Sequence, residues 1–204
     1  NNDLNIFNSK QKNLIRSSSK KLTIKFDRTY SNFLNFKKSY LKLMFKKKAN
    51  KELFFSDEYF SNLFYLMKKS GYIVKVLDHK KKEVSSGVFL YSKNYVHYHL
   101  SSSNQENYVP GCINLMIFKS AIFSKKIQKS LLHLGGGNSD TMDDTLFKFK
   151  SSMSNITFLY SIGKRIFNSK FYNLNKKNWK KQNPTLSKLF SNYLLCYHFD
   201  SSIL

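Results

Sequence analysis

The residues best suited to chemistry lie in the second half of the chain, where a glycine run at 135–137 precedes a predicted helix that carries Lys150. Leu146, Phe149 and Met153 recur at helical spacing and form the apolar face of that helix. Lys150 lies on the flank of the same face. Such a lysine either extends its ammonium group into water or directs it into a cleft. In a cleft it would stabilise a developing oxyanion or phosphate charge, or pass protons.

The glycine run follows a short apolar strand predicted at 131–134 and precedes Asp140, Asp143 and Asp144, which would cap the helix. Backbone without side chains can approach a ligand closely, and a helix N-terminus attracts phosphate. The three carboxylates, however, would oppose a phosphate at that terminus. We therefore favour a structural close approach of the backbone over a phosphate cradle.

Three histidines form a second candidate cluster. His97 and His99 alternate along a predicted strand and so face the same side, where a third ligand such as His133 would complete a metal site. No carboxylate lies at ligand spacing nearby. We therefore expect no metal, and histidines whose rings are hydrogen-bonded in the core or in a cleft. Tyr98 faces the opposite side of the strand. The sequence shows no Ser-His-Asp or Cys-His arrangement for a covalent nucleophile.

Periodicity and turn residues predict the elements that position these side chains. We interpret residues 1–19 as a polar tail or linker and residues 20–204 as one domain. The predicted strands cover 20–27, 72–78, 83–91, 95–101, 131–134, 156–162 and 165–174. The predicted helices cover 31–48, 56–69, 114–129 and a segment ending at Met153, and 185–199 is a helix or an extended tail. Gly71 is expected in the left-handed conformation after the second helix.

Four motifs occur within this order of elements. They are Tyr40, Met44, Ala49, Phe54-Phe55 and Tyr59-Phe60; Tyr95–Ser101; Leu132–Gly137 with Asp144–Lys150; and Tyr160–Tyr172. Together they resemble the GNAT acyltransferase superfamily, and within it the C-terminal half of the FemAB/FemX-like enzymes that add amino acids to peptidoglycan precursors. The LHLGGG run with the later Phe-Lys pair is the most specific match. The resemblance implies an α/β (α+β) fold, with a mixed, mostly antiparallel twisted sheet and helices on both faces.

The resemblance also assigns roles to residues. Phe149-Lys150 matches the phenylalanine-lysine pair at the acyl-transfer site of the FemX-like enzymes, so Lys150 is the expected catalytic residue. Tyr98 would contribute a hydroxyl to the substrate or acyl cleft. The expected substrate-binding residues are Tyr98, His99, Gly135, Gly136 and Phe149.

The segment 101–114 bears on the identity of the acyl donor. Acetyl-CoA-dependent members of the superfamily carry a Q/R-x-x-G-x-G/A loop whose backbone amides hold pyrophosphate. In this sequence the segment contains a single glycine, Gly111. The resemblance therefore favours aminoacyl-tRNA over acetyl-CoA as the donor, without a tightly bound cofactor.

The formal net charge of +23 suits an anionic partner such as tRNA, a nucleotide or acidic lipid. Only Arg16, Arg28 and Arg165 among the 35 basic residues are arginines. Because bidentate recognition of phosphates and bases favours arginine, we interpret most of the lysines as a solvated surface. Cys112 and Cys196 lie in dissimilar contexts and form no CxxC motif, so neither a disulfide framework nor a zinc knuckle is indicated, and a reducing cytoplasm is the default expectation.

From these observations we expect an N-acyltransferase that moves an aminoacyl group from aminoacyl-tRNA to an amine of a lipid-linked or UDP-linked muropeptide. It would act in the cytoplasm, with peripheral contact at the inner face of the membrane. A second hypothesis is an acetyl- or acyl-CoA-dependent N-acyltransferase acting on an amino sugar in surface polysaccharide synthesis. A third is a non-catalytic basic RNA-binding protein, which requires exposed aromatic residues among the basic ones. FemAB-like enzymes commonly carry two such domains, and one is visible in this sequence.

Overall fold

A five-stranded sheet organises the first of two units in the computed structural model, which divides into Asn1–Thr157 and Phe158–Leu204. The structure describes residues 2–139, 141–154, 156–161 and 163–200. Asp140, a predicted helix cap, and Ile162, the predicted end of a strand, lie outside the described residues.

The strands are β1 (Thr23–Asp27), β2 (Gly71–Leu77), β3 (Glu83–Tyr91), β4 (Tyr95–Ser103) and β5 (Leu131–His133), paired in this order. Strands β1 to β4 pair antiparallel with one another, whereas β5 runs parallel to β4. Short turns explain the meander from β2 to β4, since the Asp78 carboxylate accepts hydrogen bonds from the backbone N–H groups of Lys80 and Lys82, both at 2.8 Å. The predicted meander is confirmed.

The sheet is covered on both faces. One apolar cluster lies between the sheet and the helices α1 (Ser9–Ser19), α4 (Cys112–Lys126) and α5 (Thr145–Ser152). A second cluster lies under α2 (Tyr30–Lys46) and α3 (Asp57–Ser70). Strand β2 contributes to both, because Tyr72, Val74 and Val76 point to the first cluster and Ile73 to the second.

Helix α3 begins as the sequence predicts, because the Ser56 hydroxyl accepts a hydrogen bond from the Tyr59 backbone N–H at 3.1 Å. Its end differs from the prediction. Gly71 has a φ of −172°, which is extended backbone, and it is the first residue of β2. A Cβ at this position would lie 2.6 Å from the Phe89 carbonyl oxygen, so the glycine permits close approach of β2 and β3.

Residues 9–19, which the sequence places in a polar tail or linker, form helix α1. Asn8 caps it, and Ile15 and Gln11 are buried in spite of the polar composition of the segment. The interpretation as a tail missed this helix because Ile15 is the one apolar residue among its buried positions, which also include Gln11 and Ser18. Hydrogen bonds supply the rest of its attachment, as described below.

The second unit contains α6 (Ser169–Gln182), α7 (Pro184–Phe190) and a 3₁₀ turn at Cys196–His198. Trp179, Leu186 and Cys196 form its small core, and the indole N–H of Trp179 donates to the Phe199 carbonyl at 2.8 Å. Proline at the first position of α7 suits a helix start because its missing N–H would have no partner there.

Two strand predictions for the second half are wrong. The segment predicted as a strand at 165–174 contains the start of α6, where the Asn168 side chain accepts from the Phe171 N–H at 3.0 Å and caps the helix. Residues 156–161, the described part of the other predicted strand, pair with no strand of the sheet. Phe158, Leu159 and Tyr160 are exposed there, so an apolar run was taken for a buried strand.

The predicted fold class is confirmed by the mixed, mostly antiparallel sheet with helices on both faces. Within the described residues, no helix is long and apolar enough to cross a membrane.

Candidate active site

Strands β4 and β5 diverge at the site to which the sequence motifs point. Their parallel pairing extends only from Tyr95 and Leu131 to His97 and His133. Beyond His97, β4 continues to Ser103, whereas the chain after His133 turns away from the sheet through Gly135, whose φ is +78°. Glycine adopts this left-handed conformation without a steric cost. Beyond His97, the edge of β4 that faces β5 therefore has no strand partner among the described residues.

Histidines from both strands lie where the strand pairing ends. His97 Nδ1 lies 2.9 Å from His133 Nδ1, so one ring donates and the other accepts. The rings of His97 and His99 are 5.7 Å apart, and the Tyr59 hydroxyl from α3 lies 2.7 Å from His99 Nε2. The three histidines therefore form a connected polar face that α3 supports.

Lys150 reaches the same face from α5. Its ammonium group donates to the Gly136 carbonyl at 2.7 Å. A Cβ placed on Gly135 would lie 3.3 Å from Lys150 Nζ and 3.9 Å from His97 Cε1. Lysine and histidine thus flank one point above the glycine backbone, and any side chain at 135 would enter that space.

Asp144 fixes the helix that carries Lys150. Its carboxylate accepts from the Phe147 N–H at 2.7 Å, as the helix N-cap, and from the Asn138 N–H at 3.0 Å. One side chain therefore holds both the start of α5 and the loop after β5. The N-terminus of α5 is therefore unsuited to phosphate, because the Asp144 carboxylate already caps it.

Burial and neighbouring charges set the protonation states. Burial, together with the positive charges that His133, His99 and Lys150 can carry, lowers the pKa of His97 to about 4. Burial also lowers the pKa of Lys150, an effect that the Asp144 carboxylate partly opposes. At neutral pH His97 is therefore an uncharged imidazole, which can accept a proton, beside an amine that donates hydrogen bonds.

The structure brings some of the predicted site residues together and separates others. Lys150, Gly135 and Gly136 are in contact, and His99 lies next to His97 on the same face. Tyr98 is on the opposite face of β4, only 8% exposed and packed against Phe89 in the first core. The proposed hydroxyl contact of Tyr98 with a substrate is therefore corrected, because that side chain is a core residue.

Phe149 likewise packs against the first core cluster rather than lining the histidine face. The sequence predicts hydrogen-bonded histidine rings rather than metal ligands, but it does not predict that His97 and His133 contact each other directly. The alternating His-x-His spacing and the His133 position at the end of β5 were the available signals. In the part of the chain that the structure describes, no three His, Cys, Asp or Glu side chains are arranged to hold a metal ion.

Helix α1 covers the N-terminus of α4, the helix that follows the segment 101–114. Gly111 caps α4 with a φ of +84°, and a Cβ there would meet the Leu14 carbonyl at 2.7 Å and the Ser18 hydroxyl at 3.2 Å. The Asn114 side chain donates to Gln11, and Gln11 donates to the Ser152 hydroxyl at 2.8 Å. Helix α1 thus packs directly against the first turn of α4.

A polar groove of about 410 Å³ lies between α2 and the ends of β3 and β4. Lys42, Lys46 and Lys82 line it together with Glu83 and Glu106, so it presents both signs of charge. Its wall includes Ser102 and Ser103, the last residues of β4. His97 and His99 lie earlier on the same strand.

No protein-family model and no curated protein sequence matches the chain. Its fold is that of the GNAT acetyltransferases. Two aminoglycoside acetyltransferases from uncultured soil metagenomic samples, one solved with sisomicin, superpose with a TM-score of 0.51 each, at 7% and 14% identity. They match 71% and 74% of this chain and 98% and 99% of their own lengths.

FemX superposes with a TM-score of 0.59 at 11% identity, over 74% of this chain. The match covers 54% of FemX, so the chain spans about half the length of that protein. The GNAT fold expected from the motifs is therefore present, in the form shared by acetyltransferases and by FemX.

Proposed function

We propose that the chain is an N-acyltransferase that transfers an aminoacyl group from aminoacyl-tRNA to an amine of a peptidoglycan precursor. The observation that carries the proposal is the pairing of Lys150 with uncharged His97 around one point, at the divergence of β4 and β5. The GNAT fold supports acyl transfer as the reaction class. The LHLGGG run and the Phe149-Lys150 pair, which resemble FemAB/FemX-like enzymes, support the finer assignment.

The reaction requires positioning and charge stabilisation more than a nucleophile. The acceptor amine attacks the ester carbonyl of the donor, a C–N bond forms and the C–O bond to the tRNA hydroxyl breaks. Lys150 Nζ uses one N–H group on the Gly136 carbonyl, which leaves the others to stabilise the oxyanion. His97 accepts the proton that the attacking nitrogen loses and passes it to the leaving oxygen of the tRNA, which departs as a hydroxyl.

The packing of α1 against the start of α4 supports aminoacyl-tRNA rather than acetyl-CoA as the acyl donor. Gly111 and Asn114, at the start of α4, are in contact with Leu14, Ser18 and Gln11 of α1. A pyrophosphate at the start of α4 would require α1 to leave this position. An aminoacyl ester places no pyrophosphate there, so it can be used with α1 in place.

The alternative is an acetyl- or acyl-CoA-dependent N-acyltransferase acting on an amino sugar. The similarity of the fold to the two aminoglycoside acetyltransferases supports it. It requires displacement of α1, since the loop before α4 contains one glycine, and that glycine packs against α1. We therefore rank it second.

A donor comparison tests the proposal. Radiolabelled aminoacyl-tRNAs and acetyl-CoA are offered separately, with pooled lipid-linked and UDP-linked wall precursors, to wild type, Lys150→Ala and Lys148→Ala. We expect transfer from aminoacyl-tRNA that falls about 100- to 1,000-fold in Lys150→Ala, because one oxyanion donor is lost. Lys148 is the matched control: it is on the same helix, but its ammonium pairs with Asp143 at 2.8 Å on the surface. Its substitution should have little effect.

Transfer from acetyl-CoA alone would contradict the tRNA assignment and promote the amino-sugar alternative. Transfer that survives in Lys150→Ala would remove Lys150 from the catalytic site. Absence of transfer from both donors, with folded protein, would contradict the acyltransferase function of the chain.

A further inference from the structure

We propose that α6 carries a docking surface for membranes containing anionic phospholipid. Five lysines lie within an arc of about 140° on one side of this helix, at 100° per residue. They are Lys170, Lys176, Lys177, Lys180 and Lys181, called here the α6 lysine stripe. Four of them, with Asn173, line a shallow groove of about 400 Å³.

The charge of the second unit favours an anionic partner. Asp200 is the one acidic residue in the sequence from 158 to 204, whereas that segment contains seven lysines and one arginine. A single carboxylate cannot neutralise the stripe. Helix α6 itself contains no acidic residue. Polybasic helices of this kind are attracted to the negative surface potential of anionic membranes.

The packing of α6 fixes the direction of the stripe. Trp179 is 5% exposed, contacts Leu186 and Cys196, and donates its indole N–H to the Phe199 carbonyl. Because helical geometry places Lys170, Lys177 and Lys181 about 160–180° around the helix from Trp179, these lysines lie on the face opposite the core. Lys176 also extends over the Tyr172 ring, 5.9 Å from its centroid.

Leu174 and the lysine-only composition of the stripe favour a membrane over RNA, whereas the exposed Phe171 ring suits both partners. Phe171 is 60% exposed and Leu174 is 53% exposed. Leu174 lies in one row with Lys170 and Lys177, at i−4 and i+3. A leucine cannot stack on a nucleobase as an aromatic ring does, but it inserts readily between headgroups while neighbouring lysines snorkel to the phosphates. The stripe also contains lysine throughout and no arginine, which recognises nucleic acid phosphates more specifically.

This inference uses residues of the second unit alone and does not depend on the acyl-transfer proposal. It would give the chain a location at a membrane surface whatever reaction it catalyses.

Vesicle co-sedimentation of the full chain tests the surface, with phosphatidylglycerol–phosphatidylcholine vesicles against phosphatidylcholine alone. We expect binding to the anionic vesicles to fall at least tenfold in the quadruple variant with Lys176, Lys177, Lys180 and Lys181 changed to Gln. The matched control changes four exposed lysines of α3 and α4 to Gln, and these substitutions remove the same amount of charge. The four are Lys68, Lys69, Lys125 and Lys126. This control should retain most of the binding. The emission of Trp179, the one tryptophan of the chain, verifies that α6 still packs on its core.

A second variant separates the apolar contribution. Phe171→Gln with Leu174→Gln keeps every charge, and we expect it to bind several-fold more weakly, most clearly at high salt, where the lysine contribution is screened.

Three outcomes would overturn the proposal. They are equal binding to neutral vesicles, an equal loss in the two quadruple variants, and unchanged binding in Phe171→Gln/Leu174→Gln. Binding of an RNA oligonucleotide that depends on the stripe, without vesicle binding, would assign the surface to nucleic acid instead.

Discussion

The two faces of β4 carry opposite kinds of residue. Val96 and Tyr98 point into the first apolar core and are almost completely buried. His97 and His99 point to the other side, where they contact His133 and Tyr59. The same strand therefore contributes to the core through one set of side chains and to the candidate site through the other.

The alternation of side chains along β4 thus predicts which residues share a face. It does not predict which face carries the candidate site. The sequence placed Tyr98 and His99 in one substrate-binding set, although neighbouring residues of a strand cannot share a face. The structure assigns them to the two faces. Effects on stability should therefore concentrate at Tyr98, and effects on catalysis at the histidines.

The largest expected effect is on the core face. Tyr98→Ala should lower the free energy of unfolding by about 3–5 kcal/mol, as removal of a buried aromatic side chain does. His99→Ala should cost about 1 kcal/mol, since it loses one hydrogen bond to Tyr59. Urea denaturation of both variants measures the difference. Similar losses at the two positions would contradict the division between the faces.

A smaller effect is expected where the site face meets the glycine run. Gly135→Ala should lower the free energy of unfolding by about 1–2 kcal/mol because φ is +78° there. It should also slow acyl transfer, because the new Cβ lies 3.3 Å from Lys150 Nζ. Gly136→Ala is the control, with no atom within 4 Å of the added Cβ. Stability there should be unchanged or slightly higher. An equal loss of activity in both variants would show that the position of the Lys150 ammonium does not matter.

The smallest expected effect is the pH dependence contributed by the site face. The pKa of His97 falls from 6.5 to about 4 on folding, mainly through burial. The unfolded chain therefore binds this proton first, so the contribution of His97 is complete above pH 6.5 and is lost as the pH falls towards 4.

We expect the urea midpoint of the wild type to fall over this range, and that of His97→Gln to fall less steeply. Parallel curves for the two proteins would show that His97 is as accessible to protons in the folded state as in the unfolded chain.

The sequence was most informative where periodicity and turns agree. The strands from 71 to 103 were predicted within two residues, because β-branched and aromatic runs are separated by short polar turns. Lys150, Gly135 and Gly136 were assigned to one site through the motif that contains all three, and in the structure Lys150 contacts the glycine backbone.

The failures have physical causes. Helix α1 was missed because its attachment depends on Gln11, Ser18 and the glycine at 111, whose partners are far away in the sequence. The start of α6 was taken for a strand because Phe171, Tyr172 and Leu174 follow one another closely, although Asn168 is a helix cap. The pairing of His97 with His133 depends on the parallel register of β4 and β5, which no local pattern encodes.

The burial of both cysteines has a consequence for measuring how the two units open. Cys112 belongs to the first unit and Cys196 to the second, and both are fully buried. A thiol reagent can modify each only after its surroundings open, so the modification rate, relative to the unfolded chain, reports the free energy of that local opening. Burial also raises the pKa of the Cys112 thiol, which further slows its reaction in the closed state. A single labelling time course, resolved by mass spectrometry, would thus rank the kinetic accessibility of the two units without any substitution.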